Sequence, residues 1–364
     1  MLNKKVFFTI IFILILILAG LIFRTLLSDS SISDMSSGTF AITSGTSTPV
    51  INIPSSSSIL YLDQFGIKGD GSVEGAKVQA ALDYARDHSI STVVFPKDKV
   101  IITTSKIIIH AGLNVIGNGC TIKLKDNAGI GSSVQIMSLM DNARCSGIKI
   151  DGNRHNNPGG GSPPGAAGIR LFSGSVFDGN EVFDVDTYTV FTYNADNVII
   201  SNNIIHGGRQ YGIATGGGDA EGISHNIRVT GNTIYDQEQV GIKIRGTQDS
   251  IISYNTVTLP EIAGFDSEGI TLYSLDYGNS NIEISNNIVV GNLGRGSGTG
   301  TGIESQSSAN TGIKIINNHV SKCDTGIHIL FNNAIITGNT ISSCTRPLVN
   351  SGTGNAVTNT ILTT

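Results

Sequence analysis

Through the C-terminal half of the chain, apolar and polar positions alternate in short runs rich in β-branched residues, as in Ile282-Glu283-Ile284 and Ile313-Lys314-Ile315. A period of two predicts strands, and no stretch there sustains the 3.6-residue period of a helix. The runs are punctuated in a fixed frame. Asn180, Asn203, Asn232, Asn255, Asn287, Asn318, Asn339 and Asn359 each stand two residues before an Ile or Val, with successive gaps of 23, 29, 23, 32, 31, 21 and 20 residues. Between them falls a second phrase, Gly-Ile followed by alternating residues, at Gly168, Gly212, Gly241, Gly269, Gly302 and Gly326.

A repeat of twenty-odd residues whose strands are too short to bury a face alone predicts a solenoid. One unit reads as a Gly-Ile strand, a turn, an Ile-x-Ile strand, an Asn turn, a short Asn-x-Ile strand and a loop of variable length. Three strands per coil, stacked parallel at ~4.8 Å, make a β-helix. An Asn at one corner of every coil can then bond its amide to the Asn above and below. The alternative, Asn as a surface-turn residue only, does not account for its constant distance from the following Ile or Val. Gaps near 20 to 23 mark bare coils, so the longer gaps place insertions within 216–225, 260–268 and 291–301. Insertions in repeat proteins gather on one face and often make the binding face.

Composition narrows the class. A solenoid of 364 residues is one continuous core, and 45 glycines with only 14% charged residues suit short strands and tight turns. A net charge of −5 without a basic run leaves no footprint for nucleic acid. Val6 to Phe23 form an apolar run behind Lys4 and Lys5, long enough to span a bilayer with the N-terminus in the cytoplasm. No small-x-small cleavage motif follows, which places an uncleaved anchor ahead of a signal peptide. Residues 1–27 are thus an anchor or signal, 28–58 a Ser/Thr-rich flexible tether, and 59–364 an exported β-helix domain. Cys323 and Cys344 each lie five residues after a ladder Asn, on adjacent coils, where a disulfide and a stack of reduced thiols both fit.

One stretch carries a family phrase. Phe65-Gly66-Ile67-Lys68-Gly69-Asp70-Gly71 is followed by Val78-Gln79-Ala80-Ala81-Leu82-Asp83-Tyr84-Ala85, then Thr92-Val93-Val94-Phe95-Pro96 and Leu113-Asn114-Val115-Ile116-Gly117-Asn118-Gly119. This resembles the N-terminal cap of the pectate-lyase-like superfamily, in which a short helix plugs the first coil of a right-handed parallel β-helix. The resemblance implies an all-β solenoid of that hand, capped at about 63–96. It departs from the usual cap at Val73-Glu74-Gly75-Ala76, where an acidic pair and a Thr are customary. The superfamily holds lyases, hydrolases, epimerases, tailspike depolymerases and surface proteins without activity, so fold alone does not choose a reaction. The Asp-Asp, Gly-His-Gly and Arg-x-Lys set of polygalacturonases is absent, as is the Asp-Pro-His phrase of mannuronan epimerases.

Residues alternating with the inward Ile of the Gly-Ile strand point outward and stack into two columns. The first runs Arg170, Ala214, Lys243, Thr271, Glu304, His328, and the second Phe172, Gly216, Arg245, Tyr273, Gln306, Leu330, with Phe191 and Tyr193 from a less regular coil between. Loops entering this sheet are expected to carry His206, Arg209, Tyr211, Asp266 and Glu268. Such a band suits an acidic glycan: Arg170, Arg209 and His206 for carboxylates, Tyr193, Tyr211 and Tyr273 for sugar faces, Glu304 and His328 for further contacts. Lys243 and Arg245, two apart on one strand, supply a base and a cation for β-elimination, the Lys made less basic by the Arg beside it. Superfamily lyases use Lys or Arg in this way, often with Ca²⁺ on the uronate. Asp266 and Glu268 offer a hydrolytic acid–base pair or oxygen ligands for Ca²⁺. The reading is cleavage of an extracellular acidic polysaccharide, β-elimination ahead of hydrolysis. Its rivals are a non-catalytic surface protein that binds glycan or another surface partner, and a sheet face that is merely solvated.

Overall fold

The computed structural model describes residues 58–128, 135–157, 166–216, 222–260, 266–274, 277–293 and 300–362, with the backbone of 39–40 and 51–52. The expected anchor at 6–23 and most of the tether lie outside the described residues. Among the described residues no helix is long and apolar enough to cross a membrane.

The Gly-Ile strands and their counterparts upstream form one ten-stranded parallel sheet. In chain order these are β1 (Ile107–Ile109), β2 (Gln135–Leu139), β3 (Ala167–Leu171), β4 (Tyr188–Thr192), β5 (Tyr211–Thr215), β6 (Val240–Arg245), β7 (Ser267–Tyr273), β8 (Gly300–Ser305), β9 (Thr325–Ile329) and β10 (Arg346–Asn350). The second and third strands of the coils form a 23-stranded sheet that wraps the remaining sides. Each coil therefore uses three strands, as the repeat predicts.

Stacking puts like residues over like. Ile169, Val190, Ile213, Ile242, Ile270, Ile303 and Ile327 are successive partners across β3 to β9, and none is exposed to solvent. Each buried side chain of this size contributes about 1.5–3 kcal/mol. No coil could bury its face without its neighbours.

The asparagine ladder forms without a break. The side-chain Nδ2 of each Asn donates to the Oδ1 of the next, at 3.2 Å for Asn180 to Asn203, 2.9 Å for Asn203 to Asn232 and 3.0 Å for Asn255 to Asn287. The same oxygen also accepts the preceding Asn backbone N–H. The other Nδ2 hydrogen goes to a strand carbonyl, such as Val229 for Asn255. The run continues through Asn318 and Asn339 to Asn359. The residue before each ladder Asn from Asn180 to Asn339 is left-handed, which explains why Gly or Asn stands at 179, 202, 231, 286, 317 and 338. Tyr254 (φ 57°) breaks that rule and projects into solvent. A second, shorter ladder joins Thr247, Asn279 and Asn310 where the chain leaves the first sheet. It lies outside the Asn-x-Ile frame, so the repeat did not announce it.

Helix α1 (Gly75–Asp87) closes the N-terminal end, laying Val78, Ala81, Leu82 and Ala85 over the first coil. The departure at 73–76 is structural: the buried Glu74 carboxylate accepts the N–H groups of Lys68 and Gly69 at 3.0 and 2.9 Å and pairs with Lys77. Cys323 and Cys344 are both free thiols, the second of the two arrangements that the spacing allows.

Two substitutions test this account by chemical denaturation. Asn255→Ala leaves its ladder neighbours unpaired in a buried corner and should cost about 1–3 kcal/mol. One position earlier, Tyr254→Asn should stabilise by about 0.5–1 kcal/mol, because Asn accepts the left-handed backbone more readily. A neutral Asn255→Ala would remove the ladder as a source of stability.

Candidate functional site

The strand register lines up the outward face of the first sheet. Arg170, Phe191, Ala214, Lys243, Thr271, Glu304 and His328 are successive partners, as the alternation predicts, and Arg245 partners Tyr273. A third column joins them: Tyr188, Tyr211, Val240, Glu268, Thr301, Thr325 and Arg346. Tyr211 and Glu268 are therefore strand residues and not loop residues, a correction with a steric cause. The Gly of each phrase sits in a tight corner; a Cβ at Gly241 would lie 2.4 Å from Val257 Cγ1 and 2.7 Å from the Gly269 carbonyl. The chain bends there, and the residue before the Gly turns outward where strict alternation would turn it inward.

Lys243 Nζ sits 4.1 Å from the Tyr211 ring centre and 4.2 Å from that of Tyr273, clamped between neighbouring strands. The Arg245 guanidinium lies 5.5 Å from the same Tyr273 ring. Burial among the rings is the main cause that pulls the Lys243 pKa below its ordinary value, and Arg245 is a lesser one. The expected direction holds, and the expected cause contributes, but burial outweighs it. Nor is Lys243 a freely solvated decoration.

Beside it the carboxyls converge. Thr271 Oγ1 donates to Glu268 Oε2, Gln306 Nε2 donates to Glu268 Oε1, and Glu268 is hydrogen-bonded to Glu304. Burial, reinforced by the Glu304 charge, pushes Glu268 up to about 7. Glu304 is raised too, by burial and by Asp266. His328 Nδ1 lies 3.4 Å from Glu304 Oε1, and burial with the nearby Arg346 lowers its pKa. Two clefts, of about 310 and 290 Å³, meet at Asp266, Glu268 and Gln306. Tyr211, Lys243 and Tyr273 line the first; Glu304, His328 and Arg346 line the second.

Toward the N-terminal end the face becomes aromatic. Phe191 and Ala214 lie beneath Tyr188, Tyr193 and Tyr211, an apolar cluster on the outside of the solenoid. Ring centres are 5.1 Å apart for Tyr188 and Tyr211, and 5.6 Å for Tyr188 and Tyr193. Arg170 stacks at 4.6 Å over Phe172 and 6.0 Å from Tyr193.

Two expected contacts are not here. His206 ends a strand of the other sheet, stacked between Phe183 (5.2 Å) and Tyr235 (4.8 Å) and bonded to Glu181. Arg209 is held in its turn by Asp186, Nε to Oδ1 at 2.8 Å. Neither lines the clefts. Tyr188 and Arg346 join the face unforeseen, because Thr189 and Pro347 stand where the Gly that marks the phrase would be. Of the expected insertions, residues 217–221, 261–265 and 294–299 lie outside the described residues.

Among the described residues no group of three or more His, Cys, Asp or Glu is arranged to hold a metal. Both Glu268 oxygens accept hydrogen bonds, from Thr271 and Gln306.

Known proteins agree with this architecture. The family described as "Right handed beta helix region" matches residues 167–345. Among solved structures, Dettilon tailspike protein superposes with a TM-score of 0.61 at 15% identity, over 84% of this chain and 62% of its own. The mannuronan C-5 epimerase AlgE4 A-module of Azotobacter vinelandii gives 0.52 at 16%, over 84% and 99%. PfbA, a surface adhesin of Streptococcus pneumoniae, gives 0.50 at 13%, over 82% and 93%. This chain thus spans about three fifths of the tailspike chain, and at these identities the likeness is one of fold. No curated protein sequence matches the chain. Register, capping helix and the family match over residues 167–345 together give the chain the fold of a right-handed parallel β-helix.

Proposed function

We propose that the protein cleaves an acidic, uronate-containing polysaccharide outside the cell by β-elimination. The carrying observation is Lys243, made less basic between Tyr211 and Tyr273, in one cleft with a carboxyl held protonated near neutrality. Arg245 pairs with the uronate carboxylate and draws charge from C5. Neutral Lys243 takes the C5 proton, and the resulting enolate-like anion expels the O4 substituent as the C4–C5 double bond forms. Glu268 gives its proton to the leaving oxygen, with Glu304 accepting the hydrogen bond that holds that proton in place. The extracellular setting rests on the apolar run at 6–23, proposed as a membrane anchor. One neighbour is named for acting on mannuronan, which supports a uronan substrate.

Hydrolysis fits less well. It needs two carboxyls about 5–9 Å apart, flanking the bond; Glu268 and Glu304 share one hydrogen bond and one proton, so hydrolysis would fall to Asp266 with Glu268, which line both clefts. Binding without chemistry is the second reading, favoured by the aromatic cluster and by the adhesin's likeness.

Purified protein mixed with a panel of uronans, with Ca²⁺ or a chelator, should generate the unsaturated uronate absorbing near ~235 nm. Lys243→Ala and Arg245→Ala should each lower kcat/KM by about 10²–10³-fold. Loss of the ring contacts should cost Lys243→Ala about 0.5–1 kcal/mol of stability, too little to unfold the solenoid. New reducing ends without that absorbance would mean hydrolysis; retention of polymer without either would mean a binding protein.

The pH profile has a fixed sign. Elimination needs Glu268 protonated and Lys243 neutral, so kcat/KM should break at about 7 and at the lowered Lys243 value, rising below both and falling above both. Glu268→Gln has no proton to donate. Its residual rate should keep the Lys243 rise and lose the break near 7; an unchanged profile would remove Glu268 from proton transfer.

A further inference from the structure

The outward face of the first sheet changes chemical character in steps along the solenoid axis. Among the described residues, β3 carries Arg170, while β4, the Tyr193 that follows it, and β5 present Tyr188, Phe191, Tyr193, Tyr211 and Ala214, with no charged side chain in the three columns. Charge returns on β6 with Lys243 and Arg245, and β7 and β8 then carry Glu268 and Glu304. Arg170 and the β6 cations are thus three strand steps apart, three times the ~4.8 Å spacing. A pyranose unit advances a glycan by roughly one such step.

A carboxylate on every sugar has no partner on this surface. Between the cations it would face Phe191 and Ala214, 5% and 3% exposed, and ring faces whose electron density repels anions. On the other side of Arg245 it would face the Glu268–Glu304 pair. Neutral sugars suit the aromatic strands, because their C–H faces stack on tyrosine rings.

We infer that the groove takes a heteropolysaccharide whose acidic sugars recur about every third residue, with neutral sugars between them. This rests on the reading of the face as a uronan-cleaving groove and adds the spacing of the charges. Arg170 holds one carboxylate, the aromatic strands hold two neutral sugars, and Arg245 holds the uronate that reacts.

The test grades charge density on one backbone. Polygalacturonate and polyglucuronate are reduced chemically so that decreasing fractions of their carboxylates remain, the rest becoming primary alcohols. Affinity electrophoresis and the ~235 nm rate are then followed for each sample. Affinity and rate should peak where roughly one carboxylate in three remains, with the fully charged polymers bound roughly tenfold or more weakly. Arg170→Gln should lower affinity at that peak by roughly tenfold and leave binding of the fully reduced, uncharged polymers nearly unchanged. Affinity that climbs steadily to full charge would overturn the spacing and leave the elimination standing. A binding peak without absorbance would keep the spacing and sink the elimination. Failure of every sample to bind would overturn both.

Discussion

Coil-on-coil stacking at the parallel-strand distance is the constraint on which everything else in this protein depends. Neither the inward isoleucines nor the corner asparagines are satisfied within one coil. Each Asn amide from Asn180 to Asn339 finds its acceptor in the next coil, and each Ile finds its cover there. The two demands are met by the same translation, so a coil that slipped would lose both at once. The price falls at the ends, where the first coil needs α1 and the clamped Glu74 to close it.

That translation also builds the site. Because register is exact from β3 to β9, a side chain on one strand lies directly beside its counterpart on the next. Lys243 is clamped by tyrosines from the strands on either side, and Glu268 meets Glu304 across one step. Repetition concentrates like chemistry, which would normally put like charges in contact at a cost. Here burial answers part of that cost by keeping a proton on the acidic pair. A scaffold built for stability thereby produces a titrating group near neutral pH.

The fold was legible because solenoid physics writes itself locally. Asn two residues before Ile, and Gly before Ile, are short-range phrases, and each reports a corner or a strand wherever it falls. Lys243, Arg245, Thr271, Tyr273, Glu304 and His328 could be placed from alternation alone, since a two-residue period fixes which face a side chain joins. Tyr211 and Glu268 could not, because the Gly corner breaks the period immediately after them. His206 was misplaced for a related reason: its strand belongs to the other sheet, and its ring stacks there with Phe183 and Tyr235.

By itself the sequence determined the architecture, the coil boundaries and two of the three outward columns, because these follow from patterns spanning a few residues. Only the tertiary structure decided which residues meet. Lys243 reaches its tyrosines, and Glu268 its carboxyl partner, across coils separated by insertions of unequal length, and no spacing along the chain encodes that contact. The pKa values that make the site chemically interesting arise from burial and proximity, which exist only once the coils have stacked.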